Sequence, residues 1–135
     1  MTLKFSNIAI VHHTYAWTGL VEEELLSFLK DKTDKIFYIS HPFKQARDNL
    51  PFNTRIRVYR NGTSYNESKG LSGFGPEITF FIKDLLFNIF YFLFQKEKIE
   101  FFFGMDNLDA LSGIILKKLG KVDRVIYYVI DYVPK

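Results

Sequence analysis

The sequence predicts an α/β protein built on a doubly wound, mainly parallel sheet. Two short stretches, Ile99–Phe103 and Val125–Ile130, are continuously apolar, which is typical of strands buried on both faces of a parallel sheet. Between them lies an amphipathic segment, Leu108–Leu119, that Gly120 ends. Strands and helices alternate in this way along most of the chain, and such alternation favours a doubly wound sheet with right-handed crossovers.

Composition sets the broad class of protein. A chain of 135 residues with 47% apolar side chains is long enough for one domain with its own core. The net charge of +3 is mild and mainly bears on solubility. No cysteine is present, so disulfides, thiolate metal sites and cysteine nucleophiles are excluded together. The stretch Asn7–His13 lacks the features of a secretion signal, and we expect a cytoplasmic location.

The first third of the chain predicts a strand, a helix and a second strand. Ile8–Val11 is the first strand, and Lys35–Ser40 is the second, which ends at His41-Pro42 because the residue before proline favours extended geometry. The helix between them has a predicted apolar face made of Val21, Leu25, Phe28 and Leu29.

The middle of the chain predicts one more strand and a loop. In Arg55–Arg60 polar and apolar residues alternate, which indicates a half-exposed strand near an edge of the sheet. Asn61-Gly62 is a strong turn signal. The polar, glycine-rich stretch Thr63–Gly75 shows no periodicity, and we interpret it as a loop.

A helix is predicted from Pro76 to about Lys96. From Leu85 to Phe94 it is apolar on nearly every side, so it is either fully buried or in contact with lipid. A spanning helix needs about 20 apolar residues, and Lys83-Asp84 interrupts this one too early. We therefore expect a buried or interfacial helix, with peripheral membrane contact through Ile78–Phe94 as one outcome.

Two pairs of neighbouring residues, one at the end of the first strand and one in the turn after it, are candidate site residues. His12 and His13 are adjacent in a strand, so they face opposite sides and cannot form a two-histidine metal pair. One of them faces the cleft, as a base or as a hydrogen-bond partner, and the sequence leaves open which. Thr18 and Gly19 either cap the following helix or contact an anion or a sugar hydroxyl. One glycine makes neither a dinucleotide fingerprint nor a P-loop, so no cofactor is predicted.

Acidic residues follow the two later strands. Asp106 is either the N-cap of its helix or a substrate contact, and Asp109 suits the positive end of the helix dipole. Asp131 either anchors a turn or hydrogen-bonds a ligand in the same crevice. No metal site is predicted. The basic strand Arg55–Arg60 lacks the paired aromatic motifs of RNA-binding sheets, so no nucleic-acid partner is expected.

Three stretches resemble the N-terminal domain of GT-B glycosyltransferases of the glycosyltransferase 4-like family. The first is Ile8–Leu29, with Thr18-Gly19 in the position of that family's glycine-containing loop. The second is Phe101–Asp106 with the small-residue helix Leu111–Lys118. The third is Val125–Pro134, which is similar to the next strand and its exit.

That resemblance implies a function. In the family two Rossmann-like domains face each other across a cleft, the second holding the nucleotide-sugar donor and the first contacting the acceptor. Residues 1–135 would then be a single Rossmann-like, acceptor-side domain, truncated before its end, lacking the C-terminal donor-binding domain and inactive alone. The implied reaction is transfer of a sugar to a hydroxyl acceptor, such as a lipid-linked or cell-surface glycan in polysaccharide biosynthesis, in the cytoplasm or at the inner face of the membrane.

The resemblance also implies which residues line this half of the cleft. The candidates for catalysis are His13 and Asp106, and those for substrate contact are His12, Thr18, Gly19 and Asp131. The alternative is a non-enzymatic, flavodoxin-like α/β binding or regulatory module.

Overall fold

The structure, a computed structural model, describes residues 4–14, 20–42, 53–72 and 75–128. Its elements in chain order are β1 (Phe5–Thr14), α1 (Leu20–Lys30), β2 (Thr33–Pro42), β3 (Asn53–Arg60), β4 (Thr63–Ser72), α2 (Glu77–Leu93), β5 (Ile99–Gly104), α3 (Asn107–Lys118) and β6 (Val122–Tyr127). The predicted α/β class is confirmed: the described part of the chain holds six strands in one mostly parallel sheet and three helices.

The sheet has the order β4-β3-β2-β1-β5-β6. Strands β2, β1, β5 and β6 are parallel to one another, whereas β3 runs antiparallel to both β2 and β4. From β1 the chain continues to β2 on one side and later returns to β5 on the other. The gap between the carboxyl ends of β1 and β5 is therefore a topological switch point, where open α/β sheets bind ligands.

Two apolar layers cover the two faces of the sheet. On one face Leu26 and Leu29 of α1 pack with Ile8 and Ile10 of β1. On the other face Phe92 of α2 and Leu116 of α3 pack with residues of β1, β2, β3, β5 and β6. The helices thus lie on both sides of the sheet, as a doubly wound fold requires.

The stretch Thr63–Gly75, predicted as a loop, instead contains strand β4, and that prediction was wrong. Asn61 and Gly62 form a tight turn with φ values of 51° and 82°, and β4 then pairs antiparallel with β3. Because β4 is the edge strand, the polar side chains at positions 66–69 are exposed to solvent while backbone hydrogen bonds hold the strand in place. It follows that β3 is internal and not at the edge, although its predicted alternation of buried and half-exposed residues is present.

Two further predictions on burial were wrong. Strand β6 lies at the other edge of the sheet and begins at Val122, with Asp123 and Arg124 exposed, so it is not buried on both faces. Phe28, assigned to the apolar face of α1, is 61% exposed. Leu26, two residues earlier and on the opposite side of the helix from Phe28, is buried instead, together with Leu29.

The predicted helix after Pro76 is present as α2, with Pro76 at its N-cap. The helix is not fully buried, because only one side faces the protein, and the buried residues on that side are Phe80, Asp84, Asn88 and Phe92. Among the described residues no helix is both long and apolar enough to cross a bilayer.

Candidate functional site

Polar side chains fill the space between the sheet and the helices α2 and α3 at the carboxyl ends of β1, β2 and β5. We call these residues the polar cluster: His13, His41, Thr54, Asp84, Asn88, Asp106, Asp109 and Ser112. Strands β1 and β2 place His13 and His41 side by side, since the two residues are register partners. At its other end the same layer contains the apolar core around Phe92 and Phe102, so the polar cluster marks one rim of the sheet.

His13 lies at the centre of the polar cluster. Its Nε2 atom donates to Asp84 Oδ2 at 2.9 Å. On the other side of the ring, Nδ1 lies 3.0 Å from Asp109 Oδ2 and makes a shorter contact with Asp106 Oδ2. Both ring nitrogens therefore meet carboxylates, and the side chain is only 2% exposed.

These contacts fix the charge of His13. Burial disfavours the charged ring, but the Asp109 carboxylate and the hydrogen bonds to Asp106, Asp109 and Asp84 outweigh burial and raise the pKa of His13 to about 12. The ring is therefore an imidazolium at neutral pH. A histidine in this state holds its proton and acts as a fixed positive charge.

The carboxylates respond to burial and to that charge. Burial favours their neutral forms, yet hydrogen bonds from His13, His41 and Lys83 hold the pKa of Asp84 well below its usual range. The hydrogen bond from His13 likewise lowers the pKa of Asp106 to about 2, against the effect of burial. Burial raises the pKa of Asp109, which is fully buried beside a second carboxylate. Asp84 and Asp106 are therefore ionised at neutral pH.

A second chain of hydrogen bonds joins His41 to α3. His41 Nε2 donates to Asn88 Oδ1 at 2.6 Å, and Asn88 Nδ2 donates to Asp109 Oδ1 and Ser112 Oγ, both at 3.1 Å. The other ring nitrogen of His41 lies 3.2 Å from Asp84 Oδ1. Since Asp84 and Asn88 occupy i and i+4 on α2, one face of that helix holds both histidines.

Asp106 is the member of the polar cluster nearest to solvent. It is the N-cap of α3, because its Oδ1 accepts from the Asp109 backbone N–H at 2.8 Å. This confirms one of the two roles predicted for Asp106. Its side chain is 22% exposed, whereas the side chains of His13, Asp84 and Asp109 are at most 2% exposed. A ligand at this rim would therefore meet the Asp106 carboxylate first.

His12 faces the opposite side of the sheet, toward Tyr38, with the two ring centroids 4.9 Å apart. Burial, reinforced by electrostatic repulsion from the neighbouring His41 and His13 rings, lowers the pKa of His12 to about 3. His12 is therefore neutral and belongs to the α1 side. The expectation that adjacent histidines point to opposite faces is confirmed, and His13 is the one that meets Asp106.

The other predicted substrate contacts, Thr18, Gly19 and Asp131, lie outside the described residues. Sequence reasoning missed His41, Asp84 and Asn88 as parts of a site, and it gave Asp109 only a role at the helix dipole. One signal was present in the sequence: Asp84 and Asn88 stand four residues apart in an otherwise apolar helix, which places two polar side chains on one face.

One group in the polar cluster has the composition of a cation site, which the sequence did not predict. His13, Asp106 and Asp109 each offer a ligand atom, and these atoms lie within 4.8 Å of one another. One nitrogen and two carboxylate oxygens suit a divalent transition-metal ion. With His13 protonated, its Nδ1 hydrogen occupies the space between the two carboxylates, so a bound cation would replace that proton.

Comparison with protein-family models, with curated proteins and with solved structures found no match for this chain. Functional inference therefore depends on the geometry of the polar cluster and on the fold around it.

Proposed function

We propose that this chain forms the acceptor side of a sugar-transfer site, as the N-terminal half of a GT-B glycosyltransferase. The observation that carries the proposal is the meeting of His13 and Asp106 at the carboxyl ends of β1 and β5, beside the switch point of a mostly parallel sheet. Polar groups converging at that place are the usual means by which such folds bind small ligands.

Asp106 is the residue that contacts the acceptor in this proposal. Its carboxylate is ionised and partly exposed, so it accepts hydrogen bonds from sugar hydroxyls, which are good donors. A hydroxyl held in this way is oriented for attack on a donor sugar. With its pKa lowered to about 2, Asp106 is a weak base, so its contribution is binding and orientation.

His13 is a positioning residue in the proposal and not the general base. Its ring keeps its proton because three carboxylates surround it. The imidazolium holds Asp106 in one orientation and balances its charge, much as a buried group orients a reacting side chain in other sites. Asp84 supports this arrangement from the far side of the ring.

The donor half of the reaction lies elsewhere in this proposal. No phosphate-binding glycine motif is present in the sequence, so the nucleotide-sugar would bind to a second domain facing this rim. The chain alone should bind an acceptor without turning it over.

The test is whether the isolated chain binds an acceptor, measured by saturation-transfer NMR with a panel of mono- and disaccharides. Asp106→Asn should weaken binding at least tenfold, because asparagine keeps the helix cap but loses the charge. The matched control is Asp123→Asn, which changes an exposed acid near the amino end of β6, away from the polar cluster at the carboxyl ends of the strands, and should leave binding unchanged.

Two results would contradict the proposal. One is the absence of saccharide binding by the wild-type chain at millimolar concentration. The other is equal binding by wild type and Asp106→Asn, which would place any bound sugar away from the polar cluster. Binding of a ligand with no sugar hydroxyls at Asp106 would favour the alternative of a non-enzymatic binding module.

A further inference from the structure

The outward side of α2 is apolar along its whole length. We call it the outer face: Ile78, Ile82, Leu86, Phe90, Leu93 and the C-cap residue Phe94. These side chains are between 40% and 82% exposed. A row of large apolar residues over a helix about 25 Å long is more than scattered surface hydrophobicity, and such patches mark interaction surfaces.

The outer face lies opposite the residues that α2 buries. Ile82 and Leu86 are offset by two positions from Asp84 and Asn88, which is about 200° around the helix. The helix thus buries Asp84 and Asn88 together with Phe80 and Phe92, while large apolar side chains face solvent, where an ordinary surface helix carries polar ones. The polar cluster and the apolar core account for the inward residues but not for the outer face.

A basic region adjoins one end of the outer face. Because Ile99 pairs with Val122, the C-terminal ends of α2 and α3 lie close together, where β5 and β6 begin. Lys121 Nζ donates to the Gln95 carbonyl, next to Phe94. The lysines in the last turn of α3 and in the connections that follow α2 and α3 are Lys96, Lys98, Lys117, Lys118 and Lys121. They outnumber the acidic residues there, which are Glu97, Glu100 and Asp123.

We propose that the outer face binds peripherally to an anionic lipid bilayer. Interfacial helix binding has two components. Apolar side chains enter the boundary between headgroups and acyl chains, and nearby lysines attract the acidic headgroups. The apolar residues also spread over about 160° of the helix circumference, which is broad for the narrow seam of two packed helices and suits a fluid surface. In a two-fold dimer through the outer face, the basic region would lie beside the same basic region of the second copy, without complementary charge.

This orientation has a consequence for the polar cluster. Asp84, on the opposite side of the same helix, is part of the cluster, so α2 lying flat on a bilayer holds the rim at a fixed distance from the lipid surface. The proposal stands on the surface of α2 and does not depend on sugar transfer.

The test is flotation of the full chain with vesicles of phosphatidylcholine, with and without phosphatidylglycerol. Wild type should float with the anionic vesicles and lose most binding at high salt. The double variant Leu86→Ser, Phe90→Ser should bind at least tenfold more weakly. Replacing Lys117 and Lys118 by glutamine should reduce binding about fivefold per lysine.

The matched control is Phe28→Ser, which removes an equally exposed aromatic from α1 on the other face of the sheet. It should float like wild type. All substituted side chains are exposed, and circular dichroism checks that each variant is folded.

Three results would overturn the proposal. The first is wild-type protein that stays unbound with anionic vesicles at low salt. The second is a double variant of the outer face that binds as well as Phe28→Ser. The third is a wild-type dimer in sedimentation that Phe90→Ser dissociates while vesicle binding is absent, since that would assign the outer face to a second copy of the chain.

Discussion

The layer between the sheet and the helices α2 and α3 has two ends of opposite character. At the amino ends of the strands it is an aromatic core, with Phe37, Phe92 and Phe102 in edge-on contact. At the carboxyl ends it is the polar cluster around His13. A single turn of α2, from Asn88 to Phe92, separates the two.

This difference teaches where the fold obtains its stability. The aromatic end gains free energy simply by excluding water from large apolar surfaces. The polar end must offset the desolvation of several charged groups through well-formed hydrogen bonds, and such networks contribute little net stability even though breaking them is costly. Buried charge that adds little stability is typical of a functional position.

The largest effect is expected at the aromatic end. Phe92 is 0% exposed, with its ring centroid 5.7 Å from that of Phe37 and 5.5 Å from that of Phe102. Phe92→Ala should lower the free energy of unfolding by about 3 to 5 kcal/mol through lost burial and the cavity left behind, measured by urea denaturation. Phe94→Ala, at an 82% exposed position, is the control, and an equal loss in both variants would show that Phe92 is not a core residue.

A smaller loss of stability is expected at the polar end. Asp84→Asn keeps the shape of the side chain but removes the negative charge that faces His13 and His41. The free energy of unfolding should fall by about 2 to 3 kcal/mol, since the remaining charges lose a partner in a buried position.

The control for Asp84→Asn is Asp123→Asn, which removes the exposed ion pair with Lys98 and should change stability by less than about 1 kcal/mol. If both variants lost the same small amount, the polar cluster would not be the coupled network that the distances indicate.

The effect most specific to the polar end is a dependence of stability on pH. The pKa of His13 is raised from 6.5 to about 12, so its stabilising contribution is complete below pH 6.5 and is lost as pH rises toward 12. Over that window the folded state holds a proton that the unfolded state has released, so the free energy of unfolding should fall as the pH rises.

Nitrogen NMR of the His13 ring measures the charge state directly. We expect an imidazolium signal that persists to at least pH 10 in the folded protein. A ring that titrates near pH 6.5 would show that the carboxylates do not raise the pKa of His13. The polar end of the layer would then not contain the buried charges that distinguish it from the aromatic end.

The sequence predicted the buried part of the sheet well, because apolar runs such as Ile8–Val11 and Ile99–Phe103 directly report burial on both faces. It failed for β4, whose polar residues carry no burial signal and whose order comes from backbone pairing with β3. It also overestimated the burial of β6, because apolar content does not distinguish an internal strand from one at the edge.

The candidate site was predictable only at the strand ends. The rule that ligand groups follow parallel strands placed His13 and Asp106 near one another, and the structure brings them into contact. Asp84 and Asn88 come from the middle of a helix, and no rule of strand order places them there. Their convergence depends on how α2 crosses the sheet, which is a property of three-dimensional packing.

Gly104 ends β5 where the chain turns back into α3. A side-chain carbon at this position would lie 2.5 Å from the Ala110 backbone nitrogen and 2.6 Å from its Cα, so the strand end and the first turn of the helix are in direct main-chain contact. The backbone that carries Asp106 is consequently held in place by close main-chain packing, so in the proposed site adaptation to ligands of different size depends on residues other than Asp106.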